Sequence, residues 1–464
     1  MKRIICIIMF LYPFVGSTQQ ACYKSSPLDY IWKIVGNAGC SAGRADYTSL
    51  AFSPSGELYV AYTDWGNDFK ATVMKYDGNN WVNVGNAGFS AGPVNFTCLA
   101  CSPSDELYVA FNDDENPYKA SVMKFDGTNW IYVGNPGFSS DYGSDPSLVF
   151  SPSGEPYVAF ADGNQAKSTV MKFDGTSWVT VGNAGFSTGS TRDISLAFSP
   201  SDGKPYVAFR DYSQLKKATV MEFNGSNWVN VGTAGFSAGW VQYTSLAFSP
   251  VDSLPYVAYQ DSTNSYKATV MKFDGTDWVN VGAVGFSQGE ADYTSLAFSP
   301  SGEPHVAYTD WGNSQKATVM KFDGTQWVNV GNAGFSGYAE WTNLAFSPSG
   351  HPYVAFMGSY DPPLLFYGAT VMKFDSVYFG VNELQASRFS LYPNPVKNNL
   401  TIELKNVNGT IKFLEIYELR GRKIFETQTN EDRVLLNVKN YPTGIYIVKV
   451  KTESSNWIEK FCKD

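Results

Sequence analysis

Tryptophans at Trp32, Trp81, Trp130, Trp178, Trp228, Trp278 and Trp327 recur at intervals of 49, 49, 48, 50, 50 and 49 residues. A segment of that length cannot bury an apolar face alone, so its copies must stack on one another. The unit around each tryptophan reads T-S-L-A-F-S-P-S-G-x-P-Y-V-A-Y-x-D, then a variable stretch, then K-A-T-V-M-K-F-D-G-T-x-W-V-N-V-G. In the sixth copy, residues 293–300 are expected to form strand A and 301–304 a tight turn. Residues 305–310 then form strand B, 316–322 strand C, and Asp323-Gly324 signals a hairpin into strand D at 325–330. No helical periodicity intervenes, which excludes parallel βαβ folds.

Four short strands per unit is the pattern of a propeller blade. Strand A recurs near residues 47, 96, 145, 193, 243, 293 and 341. Strand D occurs once too early, at 31–36, while the last unit has only a degraded D at 376–380. The expected fold is therefore all-β, with a seven-bladed β-propeller over residues 22–380. Strand 31–36 would complete the last blade and remove its open edge, with 376–380 a competitor for the slot. The unit resembles β-propeller repeats in general, without the marks of WD40 or kelch. Its D-G-T-x-W resembles the Asp-box of sialidase-like propellers, one residue short between Asp and Gly.

Aromatic residues make up 16% of the 464 residues and charged residues 17%, which suits packed sheets rather than disorder. From Arg388 onward there are 13 Lys/Arg and 9 Asp/Glu, a charge of +4; the net −9 then leaves −13 on the rest. Such a body repels phosphate backbones, so nucleic acid is not an expected partner. Lys2 and Arg3 before an apolar run at 4–15, followed by Gly16, Ser17 and Thr18, read as a signal peptide over 1–21. The run is too short for a stop-transfer helix, so no transmembrane helix is expected in the mature form. A lipid anchor at Cys22 is the alternative, with Gln19 standing where an apolar residue belongs. Of the other cysteines, Cys6 leaves with the signal peptide. Cys98 and Cys101 read as buried small residues of one strand, and a Cys22–Cys40 bridge is conceivable.

Beyond a linker at 381–388 the repeat is replaced by Phe389-Ser390-Leu391-Tyr392-Pro393-Asn394-Pro395 and alternating runs at 400–404, 411–417, 434–438 and 444–450. This reads as a small Ig-like antiparallel β-sandwich over 389–464. Its opening Tyr392, Pro393, Asn394 and Pro395, the Leu419-Arg420-Gly421 turn, the strand from Gly444 through Tyr446 to Val450 and the basic end closely resemble a type A-like C-terminal sorting domain. Such domains belong to type IX secretion cargo of Bacteroidetes-like bacteria. The resemblance implies export through the inner membrane, then outer-membrane transit with the type IX machinery as partner. The destination is extracellular or the outer cell surface. Asp375-Ser376-Val377 resembles the O-glycosylation motif of such bacteria.

Five G-x-S-x-G copies, such as Gly88 to Gly92, lack the strand-to-helix turn of a nucleophile elbow. Only His305 and His351 could serve as a histidine base. No catalytic residue and no metal ligand is assigned. Calcium at the oxygen-rich 112–116 stretch is the one cofactor considered. The three propeller arginines, Arg44, Arg192 and Arg210, do not follow sialidase spacing. Carboxylates recur at the end of strand B (Asp64, Asp113, Asp162, Asp211, Asp261, Asp310). A second set precedes strand A (Asp46, Asp145, Asp193, Asp292, with Glu340). Both sets should reach one end of the sheets, as acid–base pairs or as local backbone caps. The B–C and D–A loops vary most and share that end, with Trp65, Tyr118, Tyr212, Trp240, Tyr266, Trp311, Tyr338, Trp341 and an insert at 358–368. The candidate ligand residues are Trp65, Trp311, Asp46, Asp64, Asp292, Asp310, Tyr212 and Trp240. The expected function is a secreted or surface-displayed binding module for an extracellular glycan or protein. A glycan-active hydrolase or lyase with one asymmetric pocket, and a structural or adhesive surface protein, are the alternatives.

Overall fold

The computed structural model describes residues 29–359, 367–377, 389–404, 410–418, 422–452 and 456–464. The signal peptide expected over 1–21 with Cys6, then Cys22, most of the 358–368 insert, residues 378–388 and Leu419-Arg420-Gly421 lie outside the described residues. The chain divides into Tyr30–Asp375 and a second body that holds the C-terminal strands.

The fold is all-β. Repeats 1 to 5 each form a separate four-stranded antiparallel sheet in the order A-B-C-D. Repeats 6 and 7 share one eight-stranded sheet, joined by a single pairing of Lys316 with Tyr338. Repeat 6 shows the agreement with expectation: strand B is Pro304–Asp310 and strand C is Lys316–Phe322. Strand A, Ala291–Phe298, starts two residues earlier than expected and stops before Pro300, which has no N–H for a ladder. Strand D contracts to Trp327–Asn329.

The early strand D has a place. Asp29–Ile34 lies at the edge of repeat 7, next to its strand C, Gly368–Val377. Of the competing stretch at 376–380, residues 376 and 377 continue strand C itself, and the rest lies outside the described residues. Beyond the strand, Val35 N–H donates to Val371 O at 2.9 Å and Cys40 N–H to Ala369 O at 2.8 Å. Within repeat 1 the same bonds run from Val84 to Val73 and from Phe89 to Ala71, both 2.9 Å.

Each repeated tryptophan joins neighbouring sheets. The indole of Trp130 is buried, donates to Val84 O at 2.8 Å and stacks on Phe89 at 4.2 Å. Trp32 does the same from the N-terminal strand, donating to Val330 O at 2.7 Å and stacking on Phe335 at 4.1 Å. The inner strands are tied as well. Leu99 N–H donates to Ser49 Oγ at 3.0 Å, and the equivalent bond from Leu50 runs to Asn343 Oδ1 of the last repeat at 2.8 Å. Leu148 N–H donates to Cys98 Sγ at 3.3 Å, so this cysteine fills a serine's role. Cys98 and Cys101 are half-buried rather than buried, and neither forms a disulfide.

In the C-terminal body, Phe389–Tyr392, Asn399–Leu404 and Arg433–Asn437 form one sheet. Lys423–Gln428, Phe413–Glu418, Gly444–Lys451 and Asn456–Lys463 form another. Phe389, Leu400, Ile402, Ile416, Val448 and Phe461 belong to the core between them. Tyr392 donates to Glu403 at 2.6 Å, and Asn394 Oδ1 accepts from Cys462 N–H at 2.8 Å. Tyr446 stacks on Phe461 and donates to Pro442 O at 2.7 Å.

Candidate functional site

Strands A and B are antiparallel, so the start of A lies beside the end of B; in repeat 1, Ala45 pairs with Asp64 and Asp46 with Thr63. The B–C and D–A loops gather at that same end, where a Cβ on Gly88 would stand 2.8 Å from Asn67 Cβ.

The strand-B carboxylates are structural. Asp64 is buried and accepts from Gly66 N–H at 3.0 Å, Asn67 Nδ2 at 2.8 Å and Thr72 Oγ1 at 2.9 Å. Asp310 makes the equivalent bonds to Gly312, Asn313 and Thr318. Their acceptor sites are thus taken up within the turn, which leaves Asp64 and Asp310 little to offer a ligand. Asp113 is held in the same way by Glu115 N–H, Asn116 and Ser121. The Asp113 oxygens considered for calcium therefore serve their own loop. Among the described residues, no group of three or more His, Cys, Asp or Glu is arranged to hold a metal ion.

The turn after Asp64 presents Trp65, and the one after Asp310 presents Trp311; both side chains are exposed. Glycine is required beneath them: a Cβ on Gly43 would fall 2.5 Å from Gly66 N, and one on Gly289 would fall 2.2 Å from Gly312 N. Trp65 Nε1 donates to Asp46 at 2.9 Å and Trp311 Nε1 to Asp292 at 2.8 Å. Arg44 lies over the Trp65 ring at 4.7 Å and bonds Asp46 at 2.7 Å. Burial raises the Asp292 carboxyl above its ordinary range, opposed by hydrogen bonds from Trp311 and Gln260. Tyr212 and Trp240 are linked through Lys216, whose ammonium sits 5.5 Å from one ring and 6.0 Å from the other.

The second carboxylate set does not stay together. A β-bulge interrupts the A–B pairing in every repeat, between Asp46 and Ser49 in the first. Just before the bulge stand Asp46, Asn95, Ser144, Arg192, Gln242, Asp292 and Glu340. The next residue is left-handed in each repeat, with φ of 53–57°: Tyr47, Phe96, Asp145, Asp193, Tyr243, Tyr293 and Trp341. Asp145 and Asp193 therefore occupy a different position from Asp46 and Asp292. Counting back from the recurring leucine shows the offset, because Asp46 is four residues before Leu50 and Asp145 three before Leu148.

These left-handed residues are half-buried and face one another from repeat to repeat. Ring centroids lie 4.6 Å apart for Phe96–Tyr47, 4.2 Å for Tyr47–Trp341, 4.5 Å for Trp341–Tyr293 and 4.7 Å for Tyr293–Tyr243. The aromatic arc stops at repeats 3 and 4, where Asp145 and Asp193 replace it. The threonine that follows in the other repeats, bonding the neighbour's carbonyl as Thr97 does to Tyr47 O, gives way there to Pro146 and Ile194. Arg210 Nε lies 3.0 Å from Asp193 Oδ2, and Arg192 3.9 Å from Asp145. The Arg210–Asp193 contact lacks hydrogen-bond alignment, so both of those buried atoms, like Trp341 Nε1, have no hydrogen-bond partner. Burial pushes the Asp193 carboxyl up to about 6, with Arg210 opposing and Asp145 adding to the rise. Asp145 is raised too, mainly by burial.

The other chemical motifs lie apart from these strand-A residues or are used structurally. Ser90 Oγ accepts from Ala71 N–H at 3.0 Å and donates to Gly92 O at 2.7 Å, so the G-x-S-x-G serine holds its loop. His305 starts strand B next to the A–B turn, at the opposite end of the sheets, where burial lowers its pKa to about 4. His351 sits in an A–B turn, 3.7 Å from Asp375. One cavity at that end, about 550 Å³, is lined by Phe52, Cys101, Phe150, Phe198, Phe346 and A–B turn prolines and serines, and a second of about 450 Å³ includes Glu303, His305 and Lys321.

Residues 390–464 match the family of secretion system C-terminal sorting domains. That domain marks the chain for export to the cell exterior or surface through the type IX machinery. No helix among the described residues is long and apolar enough to cross a membrane. An ulvan lyase of Nonlabens ulvanivorans is 31% identical over 77 residues, covering 16% of this chain and 14% of that protein. An endo-acting ulvan lyase of Formosa agariphila is 28% identical over 87 residues, 18% of this chain and 16% of that protein. The chain thus spans about one-seventh of the length of these curated relatives. Among solved structures, PorZ, a surface component of the type IX secretion system of Porphyromonas gingivalis, aligns over 93% of this chain and 61% of its own. That alignment has 16% identity and a TM-score of 0.47, a level that speaks to neither ligand nor activity.

Proposed function

We propose that this is an exported glycan-binding protein whose repeats close into a seven-bladed propeller over residues 22–380, followed by an Ig-like sorting sandwich at 389–464. Its ligand seat is the mouth formed by the left-handed residues of strand A. The ring reading is supported by the bonds of Trp32, which tie the N-terminal strand to repeat 6, and of Leu50 and Trp81, which tie repeat 1 to repeat 7 and its N-terminal strand, as in adjacent copies. The observation that carries the function is the arc of five aromatics broken once by Asp145 and Asp193. Aromatic faces stack on the C–H faces of sugars, and carboxylate–guanidinium pairs hydrogen-bond their hydroxyls. Trp65 and Trp311 would be outer stations of the same seat.

A glycan array on the secreted protein tests this. Binding to at least one glycan should fall tenfold or more in Tyr293→Ala and Trp341→Ala, with unfolding midpoints that show both still folded. Array binding that ignores both substitutions would remove the seat from the mouth.

The specific observation favouring a glycan-active enzyme is the raised Asp193 carboxyl beside Asp145, since perturbed acid pairs gather at catalytic sites. The matched relatives are ulvan lyases, but over 77 and 87 residues, about the length of a sorting domain. Turnover of any polysaccharide that Asp193→Asn abolishes while binding persists would select this reading.

A further inference from the structure

Resting on that reading of the mouth, we propose that its ligand is an uncharged glycan and that the site rejects sulfated and uronate-rich chains. Residues 22–380 contain only Arg44, Arg192 and Arg210, and all three stand at this mouth. Each already faces a carboxylate: Arg44 with Asp46 at 2.7 Å, Arg210 with Asp193 at 3.0 Å and Arg192 with Asp145 at 3.9 Å. A sulfate or carboxylate on the ligand would have to displace one of these internal partners.

Three more acids lie at the same end outside these ion pairs, Glu340 close enough for its charge to act on Arg44. Asp292 is held by the neutral donors Trp311 and Gln260. Glu290 adjoins it, and burial with the Asp292 charge raises the Glu290 carboxyl. Glu340 accepts from Tyr338. Three arginines against six carboxylates leave a formal charge of −3 among these residues, −2 with Lys216 counted, on a body (22–380) that carries −14. Like charges brought together there repel, and low-dielectric walls concentrate the field. The recurring lysine of strand C, such as Lys70 or Lys316, starts two strands outward from strand A and does not reverse the balance. Lys216 is positioned over Tyr212 and Trp240 in the B–C and D–A loops.

The arginine–carboxylate pairs suit hydroxyls. Arg210 Nε and Asp193 Oδ2 lie 3.0 Å apart as an ion pair without hydrogen-bond alignment. A sugar hydroxyl donates and accepts at once, so it can bond the remaining atoms of such a pair without displacing either partner. An anionic group can only accept, and it would meet Asp193 with repulsion.

The secreted full chain would be titrated calorimetrically with uncharged probes (laminarin, xylan and galactomannan fragments) and anionic ones (alginate and carrageenan fragments). Three outcomes decide. Binding of an uncharged probe at least 100-fold tighter than any anionic one, weakened tenfold or more by Tyr293→Ala, supports the proposal. That binding should change less than twofold between 50 and 500 mM NaCl. Asp292→Asn with Glu290→Gln should then raise anionic binding while the unfolding midpoint stays near that of the parent. An anionic probe that binds as tightly, and loses binding in Tyr293→Ala, overturns the charge inference while leaving the mouth as the seat. Absence of any probe binding that depends on Tyr293 or Trp341 overturns the mouth itself.

Discussion

Trp32→Ala tests whether the chain closes on itself through its N-terminal strand. Trp32 is 8% exposed, and its neighbours are Phe335 at 4.1 Å, Phe374 at 5.5 Å and the Val330 carbonyl at 2.7 Å. Removing a buried indole from such a core costs about 3–5 kcal/mol. The carbonyl of Val330 then loses its donor, which adds about 1 kcal/mol. The total, about 4–6 kcal/mol, is what Trp228→Ala should also cost, because Trp228 is 8% exposed, stacks on Phe186 at 4.4 Å and donates to Val181 O at 2.7 Å. The equality of the two is the informative part. Trp228 lies in mid-chain, whereas Trp32 lies on the first described strand, Asp29–Ile34, and would be dispensable in a row of sheets that stays open. Urea unfolding of the secreted chain, followed by tryptophan fluorescence with refolding checked, measures both. A cost for Trp32→Ala below about 1 kcal/mol beside a full cost for Trp228→Ala would refute ring closure by this strand. Deleting residues through 36 should be worse still, since it also removes the Val35–Val371 bond.

Other substitutions separate architecture from ligand seat. Asp310→Ala should destabilise by about 2–3 kcal/mol, since it strips partners from Gly312, Asn313 and Thr318, yet leave glycan affinity within threefold at temperatures where the variant is folded. Asp193 has its folded value pushed up to about 6, above the ordinary carboxyl of the unfolded chain, so its ionisation opposes folding. That penalty is complete above pH 6 and vanishes below about pH 4. Asp193→Asn should therefore stabilise at pH 7.5 by up to ~3 kcal/mol, less what Arg210 loses as a partner, and the gain should be absent at pH 3.5 in thermal melts. Gly282→Ala should cost at least ~2 kcal/mol, because φ is +72° and the new Cβ would stand 2.7 Å from the Phe322 ring. Truncation after residue 388 should leave the protein inside the outer membrane, as cell fractionation would show.

Repetition made the strands legible and the site hard to see. Strand C of repeat 6 begins and ends where alternation and the Asp-Gly hairpin place it, because nothing competes with period two there. Strand A is different. Its bulge adds a residue ahead of the recurring leucine and resets which side chain faces inward, so Asp46 and Asp145 look equivalent in the sequence and are not. The outer pairs Trp65–Asp46 and Trp311–Asp292 were accessible as residues that vary, but the hydrogen bonds joining them needed coordinates. The inner arc was hidden for a further reason. Tyrosine, phenylalanine and tryptophan at one position read as ordinary strand residues, and only the left-handed backbone turns them toward one another. A non-glycine residue held there costs about 1–3 kcal/mol, and it recurs in every repeat. The inter-sheet bonds from Thr48 to Trp341 O and from Thr97 to Tyr47 O enforce it at 2.7 and 2.6 Å. Those bonds are missing where Pro146 and Ile194 stand, and there the inward residue changes from aromatic to carboxylate. The departure from symmetry is therefore double, in the side chain that faces inward and in the tie behind it. A scaffold under selection for packing alone would have no reason to change both together, which is why the Asp145–Asp193 side of the mouth is where ligand contact is to be sought first.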